Sequence, residues 1–524
     1  MSGFDTLVRG ALVFDGHGAA PVRADVAING ERIAEVGNLE NATAAAVIEA
    51  NGQALAPGFI DVHTHTDLTA YLADEHVAVK VAGLLQGVTT EICGNCGASA
   101  FPMRAKPEDD PYLGALSGGG EVIAFPSLAD YRRALATRKL AANIAPLVGH
   151  GTIRATVMGN DDRAPSDHEL RQMRRLTAAA MEDGAFGLST GLIYSPGVFS
   201  RADEIVALAG EVARRGRVYT SHMRDEADNV EEALDEAIAI GRATGAPVQV
   251  SHHKLAGRRN WGRSAQTLAQ IESARGSGLD VAIDVYPYAA GSTFLSTVLP
   301  PWTLDGGAAA TAERLRDPLA RLRMKQDTAD GLAGWQNLAD LAGWESIVIA
   351  GDPPYAGHSV AELARSQGQH PVDIAADILI ENAGTVVILH MMDSAEVETI
   401  GSQAFAMVGS DGIPLPGQQH PRLAGTFARA LAAAGGDHTR LADVIRRMTS
   451  FPAGRFHIPS RGAIEVGYFA DMVLFDPAVV RDQATYESPL LPPVGIRTVF
   501  LAGREVVRGG EFASAWNGKV LEPV

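Results

Sequence analysis

The chain is poor in cysteine, in aromatic residues and in positive charge. Two cysteines among 524 residues cannot build a disulfide framework, so stability has to come from a packed core. Aromatics make up 6% of the chain, and 44 basic residues face 62 acidic ones for a formal net charge of −18. That balance argues against a nucleic-acid partner or an anionic membrane surface, because either favours a basic face. Long apolar runs are missing as well. The longest charge-free stretch, Val285 to Leu304, holds Pro287, Pro300, Pro301 and several hydroxyls, which is no membrane span. The first residues, MSGFDTLVRG, lack the basic-then-apolar order of a signal peptide. What is present, 46% apolar and 20% charged residues, suits a large folded core and excludes disorder. The expectation is a soluble, cytoplasmic, globular protein long enough for one large barrel and a smaller module.

Both ends of the chain read as short strands and turns. TLVRGALVFDG and ADVAINGERIAEVG, with the turn dipeptide Asn29-Gly30, fill residues 1–57. AIEVGYFADMVLFD and IRTVFLAGREVVRGGEF give 459–524 the same texture. One small β-sandwich domain built from 1–57 plus 459–524 is expected, flanking a different middle.

That middle, 58–458, alternates helix and strand: ADEIVALAGEVARRG runs into RVYTSH, NVEEALDEAIAIGRATG into APVQVSH, and AQTLAQIESARGSG into LDVAIDVYPY. His222 and His252 close successive strands thirty residues apart, the repeat of a parallel α/β fold. Further strands are expected at SIVIAG, TVVILH and AFAMVGSDG. Periodicity alone also fits a doubly wound open sheet. The histidines at successive strand ends favour a (β/α)₈ TIM-like barrel, whose chemistry sits at the C-terminal ends of its strands. The stretch from Pro300 to Gly343, with Trp302 and Trp335, reads as an insertion that is either a lid or a surface decoration.

Several of those strand ends carry residues that hold metals. In PGFIDVHTHTD, His63 and His65 are two apart on a strand and share a face, so both imidazoles can reach one ion. EICGNCGAS offers Cys93 and Cys96, of opposite strand parity; Cys96 is taken as a thiolate ligand and Cys93 as core. His222 and His252 stand in matching S-H settings one repeat apart, and His253 faces the other way. Lys254 shares the side of His252 and offers a cation to an anionic group. In AMVGSDGIPLP, Asp411 follows an apolar strand, where a carboxylate can ligate metal and take a proton from water. Arg422 can grip a carboxylate at two points, and Tyr286 can donate to a developing oxyanion.

Taken in order, PGFIDVHTHTD, GVTTEICGNCG, GLSTGLIYSPG, YTSHMRDE, VSHHKLAG, DVYPYAAGS, VGSDG and HPRLAGTF resemble the D-aminoacylases, the N-acyl-D-amino-acid deacylases of the amidohydrolase superfamily. The closing SRGAIEVGYFADMVLFDP is similar to that superfamily's last β segment. The resemblance implies a metal-dependent barrel with a β-sandwich from both termini, and a tight zinc on Cys96, His222 and His252. It implies a weaker second metal position at His63, His65 and Asp411, with the Cys96 sulfur bridging. Asp411 would be base and then acid, Lys254 and Arg422 would clamp the substrate α-carboxylate, and Tyr286, Ser292 and Tyr194 would line the pocket. His150, in GHGTIR, matches a family motif without a role. The Ala-rich LTAYLADEHVAVKVAGLLQG departs from the pattern and bears on the acyl or side-chain pocket. The expected reaction is zinc-dependent hydrolysis of small-molecule N-acyl-D-amino acids. The rivals are cyclic amides, dipeptides with a C-terminal D-residue, acidic D-substrates alone, or an inactive scaffold on the same fold. Oligomeric state is not legible.

Overall fold

The computed structural model describes residues 3–70, 76–103, 124–415 and 417–524. Residues 71–75 of the Ala-rich departure lie outside the described residues.

Eight parallel strands make the central barrel. Phe59–Asp61 pairs with Val88–Cys93, and that with Asn143–Pro146. The third strand continues past Leu147, whose N–H donates to the Cys93 carbonyl at 2.8 Å, into Val148–Gly149. From there the ladder runs through Gly187–Gly191, Val218–His222, Val248–Val250 and Val281–Val285 to Ala406–Val408. Thr64 and Gly412 form a parallel bridge, and the Asp411 N–H donates to the His63 carbonyl at 2.8 Å. The eighth strand thereby meets the first and the barrel closes.

The connecting helices follow the apolar periodicity of the sequence. Val230–Thr244 buries Val230, Ala233, Leu234, Ala237 and Ile238 on one face against the strands. Gly245, at φ 77°, ends that helix in the left-handed conformation glycine adopts without a Cβ penalty.

SIVIAG and TVVILH are not barrel strands. Ile347–Ile349 and Val386–His390 pair antiparallel with each other, and Val386–His390 pairs antiparallel with Ala290–Phe294 in a separate three-stranded sheet. Their places in the barrel belong to Asn143–Gly149 and Gly187–Gly191. A short apolar run looks the same whichever direction its neighbour takes, which is why sequence misassigns it. The segment between the seventh and eighth barrel strands, 286–405, therefore holds one long insertion with its own core of Leu295, Val298, Leu315, Met324, Ile374 and Leu389, followed by the barrel helix Ser394–Gly401, whose Ile400 joins the barrel core. The expected 300–343 insertion lies within it, as the helices Gly307–Arg316, Pro318–Asp330 and Leu338–Ala342.

Strands from the two chain ends share one nine-stranded sheet, in which Met472–Phe475 pairs with Ala54–Pro57. Strand alternation sends Val473 and Phe475 toward the barrel helices with Phe427 and Leu431, and Met472 and Leu474 toward Val26, Ile28 and Phe500. The last residues return to the barrel, where the Leu521 N–H donates to the Ile144 carbonyl at 2.8 Å. Among the described residues no helix is long and apolar enough to cross a membrane.

Candidate metal centre and active site

At the C-terminal mouth of the barrel the chain collects two overlapping groups of donors, His63, His65, Cys96 and Asp411, and Cys96, His222 and His252. All are buried, and within each group the ligand atoms lie within 4.8 Å of one another. Cys96 Sγ is the shared point, 3.2 Å from His63 Nε2 and 3.6 Å from both His222 Nδ1 and His252 Nε2. Asp411 Oδ1 lies 3.5 Å from His63 Nε2 and 3.4 Å from His65 Nε2. Sulfur–nitrogen edges of a tetrahedral zinc site are about 3.5 Å, given Zn–S and Zn–N bonds of about 2.3 and 2.0–2.1 Å. The donor set thus fits zinc in both chemistry and spacing.

Left-handed backbone aims three of these donors inward. Cys96, His252 and Asp411 have φ of 52°, 35° and 51°, a region non-glycine residues seldom enter and one that clusters at functional sites. The Gly94–Gly97 loop that presents Cys96 is held from the fourth strand: the Gly97 N–H donates to Ser189 Oγ at 3.0 Å, and that hydroxyl donates to the Gly94 carbonyl. Cys93 lies behind the loop in the barrel's outer core, and His253 turns away to Thr267 Oγ1 at 2.9 Å.

Three carboxylates that the sequence reading missed organise the imidazoles. Glu226 Oε1 accepts from His252 Nδ1 at 2.9 Å and from Lys254 Nζ at 2.6 Å, and its Oε2 lies 3.7 Å from His222 Nε2. With those nitrogens turned to Glu226, His252 Nε2 and His222 Nδ1 face the sulfur. Asp284 Oδ1 accepts from His63 Nδ1 at 3.2 Å and from the His252 N–H at 2.7 Å. Asp61 Oδ1 accepts the N–H groups of His63 and Ser410 at 3.1 and 2.9 Å, which ties the first strand to the eighth. The available signals were slight: Glu226 falls four residues after His222, and Asp284 and Asp61 are lone charges inside apolar strands.

Burial holds His222 and His252 far below the usual imidazole range, as neutral ligands. Burial also pushes the Cys96 thiol up, partly offset by His63. At Asp411 burial works in the same upward direction but is outweighed, chiefly by the Arg422 guanidinium, so the carboxyl is held well below its ordinary value.

Tyr194, Lys254, Tyr286 and Ser292 line one cavity with His222, His252 and Asp411. The Tyr194 hydroxyl meets Thr293 Oγ1 at 3.1 Å. The two expected carboxylate-binding cations are not free: Lys254 is paired with Glu226, and Arg422 Nη1 lies 2.9 Å from Asp411 Oδ2. Arg422 also stacks over the Tyr286 ring at 4.6 Å and donates to the Ser292 carbonyl at 3.2 Å. A neighbouring cavity of about 370 Å³ shares Ser292 with it and is lined by Arg422. His150 belongs to neither cavity. It is buried against Glu204 at 2.7 Å, which also takes Arg154 at 3.2 Å.

The amidohydrolase family model matches residues 46–507. The chain is 37% identical to the D-aminoacylase of Alcaligenes xylosoxydans xylosoxydans, over 99% of this chain and 97% of that protein. It is 38% identical to the N-acyl-D-glutamate deacylase of the same organism, over 95% and 93%. The crystal structure of N-acyl-D-glutamate deacylase from Bordetella bronchiseptica, complexed with zinc and a phosphonate mimic of the tetrahedral intermediate, superposes with a TM-score of 0.83 at 35% identity, covering 99% of this chain and 100% of that one. With likeness running end to end over a closed barrel of this kind, the chain belongs to the amidohydrolase family, in its D-aminoacylase group.

Proposed function

We propose that the chain hydrolyses the amide bond of N-acyl-D-amino acids, releasing a carboxylate and a free D-amino acid, with zinc as its metal. The observation that carries this reading is Cys96 Sγ standing between His222 and His252 on one side and His63, His65 and Asp411 on the other. Cys96, His222 and His252 would hold the tight zinc, and the group His63, His65, Cys96 and Asp411 would hold a weaker second one. Zinc bound there supplies Lewis acidity toward the carbonyl and toward water.

The chain's own residues do the rest. Asp411, ionised at neutral pH, takes the proton of the attacking water and returns it to the departing amine. Tyr286 donates to the carbonyl oxygen as negative charge builds on it. Lys254 and Arg422 exchange part of their pairing with Glu226 and Asp411 for the substrate's α-carboxylate, which fixes the reacting carbonyl beside Asp411. Glu226 and Asp284 keep the imidazoles oriented. The insertion within 286–405, which reaches the cavity through Gln336, Leu338, Leu389 and Met391, shields the site from water.

The test is amine release from matched N-acetyl-D- and N-acetyl-L-amino acids by zinc-reconstituted protein. Turnover confined to the D series is expected. Turnover of neither series with zinc still bound would overturn the reading.

A further inference from the structure

Gln336 stands two residues ahead of the Leu338–Ala342 helix of the insertion. It is 5% exposed, and neither its side-chain nitrogen nor its oxygen has a hydrogen-bond partner among the described residues. It lines the cavity that holds His222, His252, Lys254 and Asp411. The same cavity is also lined by the apolar side chains of Ile193, Leu338, Leu389 and Met391 and by the hydroxyls of Ser292 and Thr293. A buried primary amide open at both ends is costly unless a ligand completes it.

We infer that Gln336 reads the substrate's side chain, and that the site prefers uncharged D-residues ending in a carboxamide, N-acyl-D-glutamine or N-acyl-D-asparagine, over their carboxylate isosteres. The inference rests on the deacylase reading above. A carboxamide satisfies both ends of Gln336 at once, since its carbonyl accepts from Nε2 and its amino group donates to Oε1. A carboxylate can meet only Nε2, turns negative charge toward Oε1, and finds no spare cation among the described residues. Lys254 is paired with Glu226 and Arg422 with Asp411, and both serve the α-carboxylate once substrate is bound. Arg224, which lines a smaller cavity that Gln336 also lines, is committed to Glu236 at 3.0 Å. An apolar side chain fits the walls but leaves both ends of the amide unpaired.

Steady-state kcat/KM for the N-acetyl forms of D-Gln, D-Asn, D-Glu, D-Asp and D-Met tests this, on the wild type and on Gln336→Leu. At least one carboxamide should exceed its acid isostere and D-Met by ten-fold or more, because sites built to hydrogen-bond a substrate group reject analogues lacking it. Gln336→Leu should cut the carboxamide-to-D-Met ratio of kcat/KM by ten-fold or more, since it leaves the substrate's carboxamide without the partner that Gln336 supplies. Turnover of D-Met with no carboxamide advantage would overturn the role of Gln336 and leave the deacylase reading standing. A Gln336→Leu variant that loses the same factor on every substrate, or that shifts only the choice of acyl group, would overturn it as well. Turnover of no D-substrate sinks both readings.

Discussion

Asp411 works against two influences. Burial should raise its carboxyl, yet Arg422 at 2.9 Å and the neighbouring imidazoles hold it ionised, ready to accept a proton. Asp411→Ala is expected to lower kcat by about 10²–10⁴, the usual scale of general acid–base catalysis. Zinc on Cys96, His222 and His252 should stay near one equivalent. Turnover within a few-fold of wild type would remove Asp411 as the base. Glu226 acts through its neighbours, because one carboxylate orients His252, approaches His222 and holds Lys254. Glu226→Gln keeps the shape and loses the charge. It should weaken zinc affinity by about 10–100-fold, as outer-shell changes typically do, measured by competition with a chromophoric chelator. An unchanged affinity would reduce Glu226 to a partner of Lys254 alone.

At the scale of elements, the site depends on how closely a loop approaches a strand. A Cβ built on Gly191, at the end of the fourth barrel strand, would lie 2.0 Å from the Cys96 carbonyl oxygen and 2.8 Å from the Tyr194 ring. Backbone cannot retreat there without dragging Cys96 away from His222 and His252. Gly191→Ala should therefore lose most of the bound zinc as well as stability, and metal analysis of the purified variant checks it. A variant with full zinc content would show that the loop has slack. The insertion makes the complementary point. Its antiparallel sheet of Ala290–Phe294, Ile347–Ile349 and Val386–His390 carries Leu389 to the cavity wall, and Met391, two residues further on, lines the same cavity. On the reading proposed here, substrate preference is set by an element outside the barrel, while the candidate metal donors sit on the barrel itself.

The whole molecule has a pH response built into the barrel wall. Asp61 and Glu91 face each other on the first two strands. Burial raises their carboxyls to about 7 and about 8, and Asp61 adds to the rise at Glu91. For Glu91 the folded value stands above the ordinary 4.5, so the folded state holds the proton more tightly than the unfolded chain. Its contribution to stability is complete below about pH 4.5 and is lost as pH climbs through about 8. Glu91→Gln removes the charge but keeps the shape. The variant's Tm should rise relative to wild type between pH 5 and pH 9, read by thermal melts in matched buffers. A difference that does not change with pH would show that Glu91 does not titrate in this window.

The primary sequence determined the α/β repeat, the terminal strands and the candidate metal donors. His63, His65, Cys96, His222, His252 and Asp411 each follow an apolar strand, and in a parallel barrel every strand end points to the same mouth. Those are local patterns repeated at a fixed interval, so they can be read one segment at a time. Tertiary structure decided what depends on contacts between distant segments. Examples are the pairing direction that removed SIVIAG and TVVILH from the barrel, and the meeting of Glu226 with Lys254 and of Asp284 with His63. The delivery of Gln336, more than eighty residues beyond His252, to the same cavity belongs with them. A lone charge in an apolar strand or an amide in a loop carries no mark of its partner, because its energy is set by groups that only the folded chain brings within hydrogen-bonding reach.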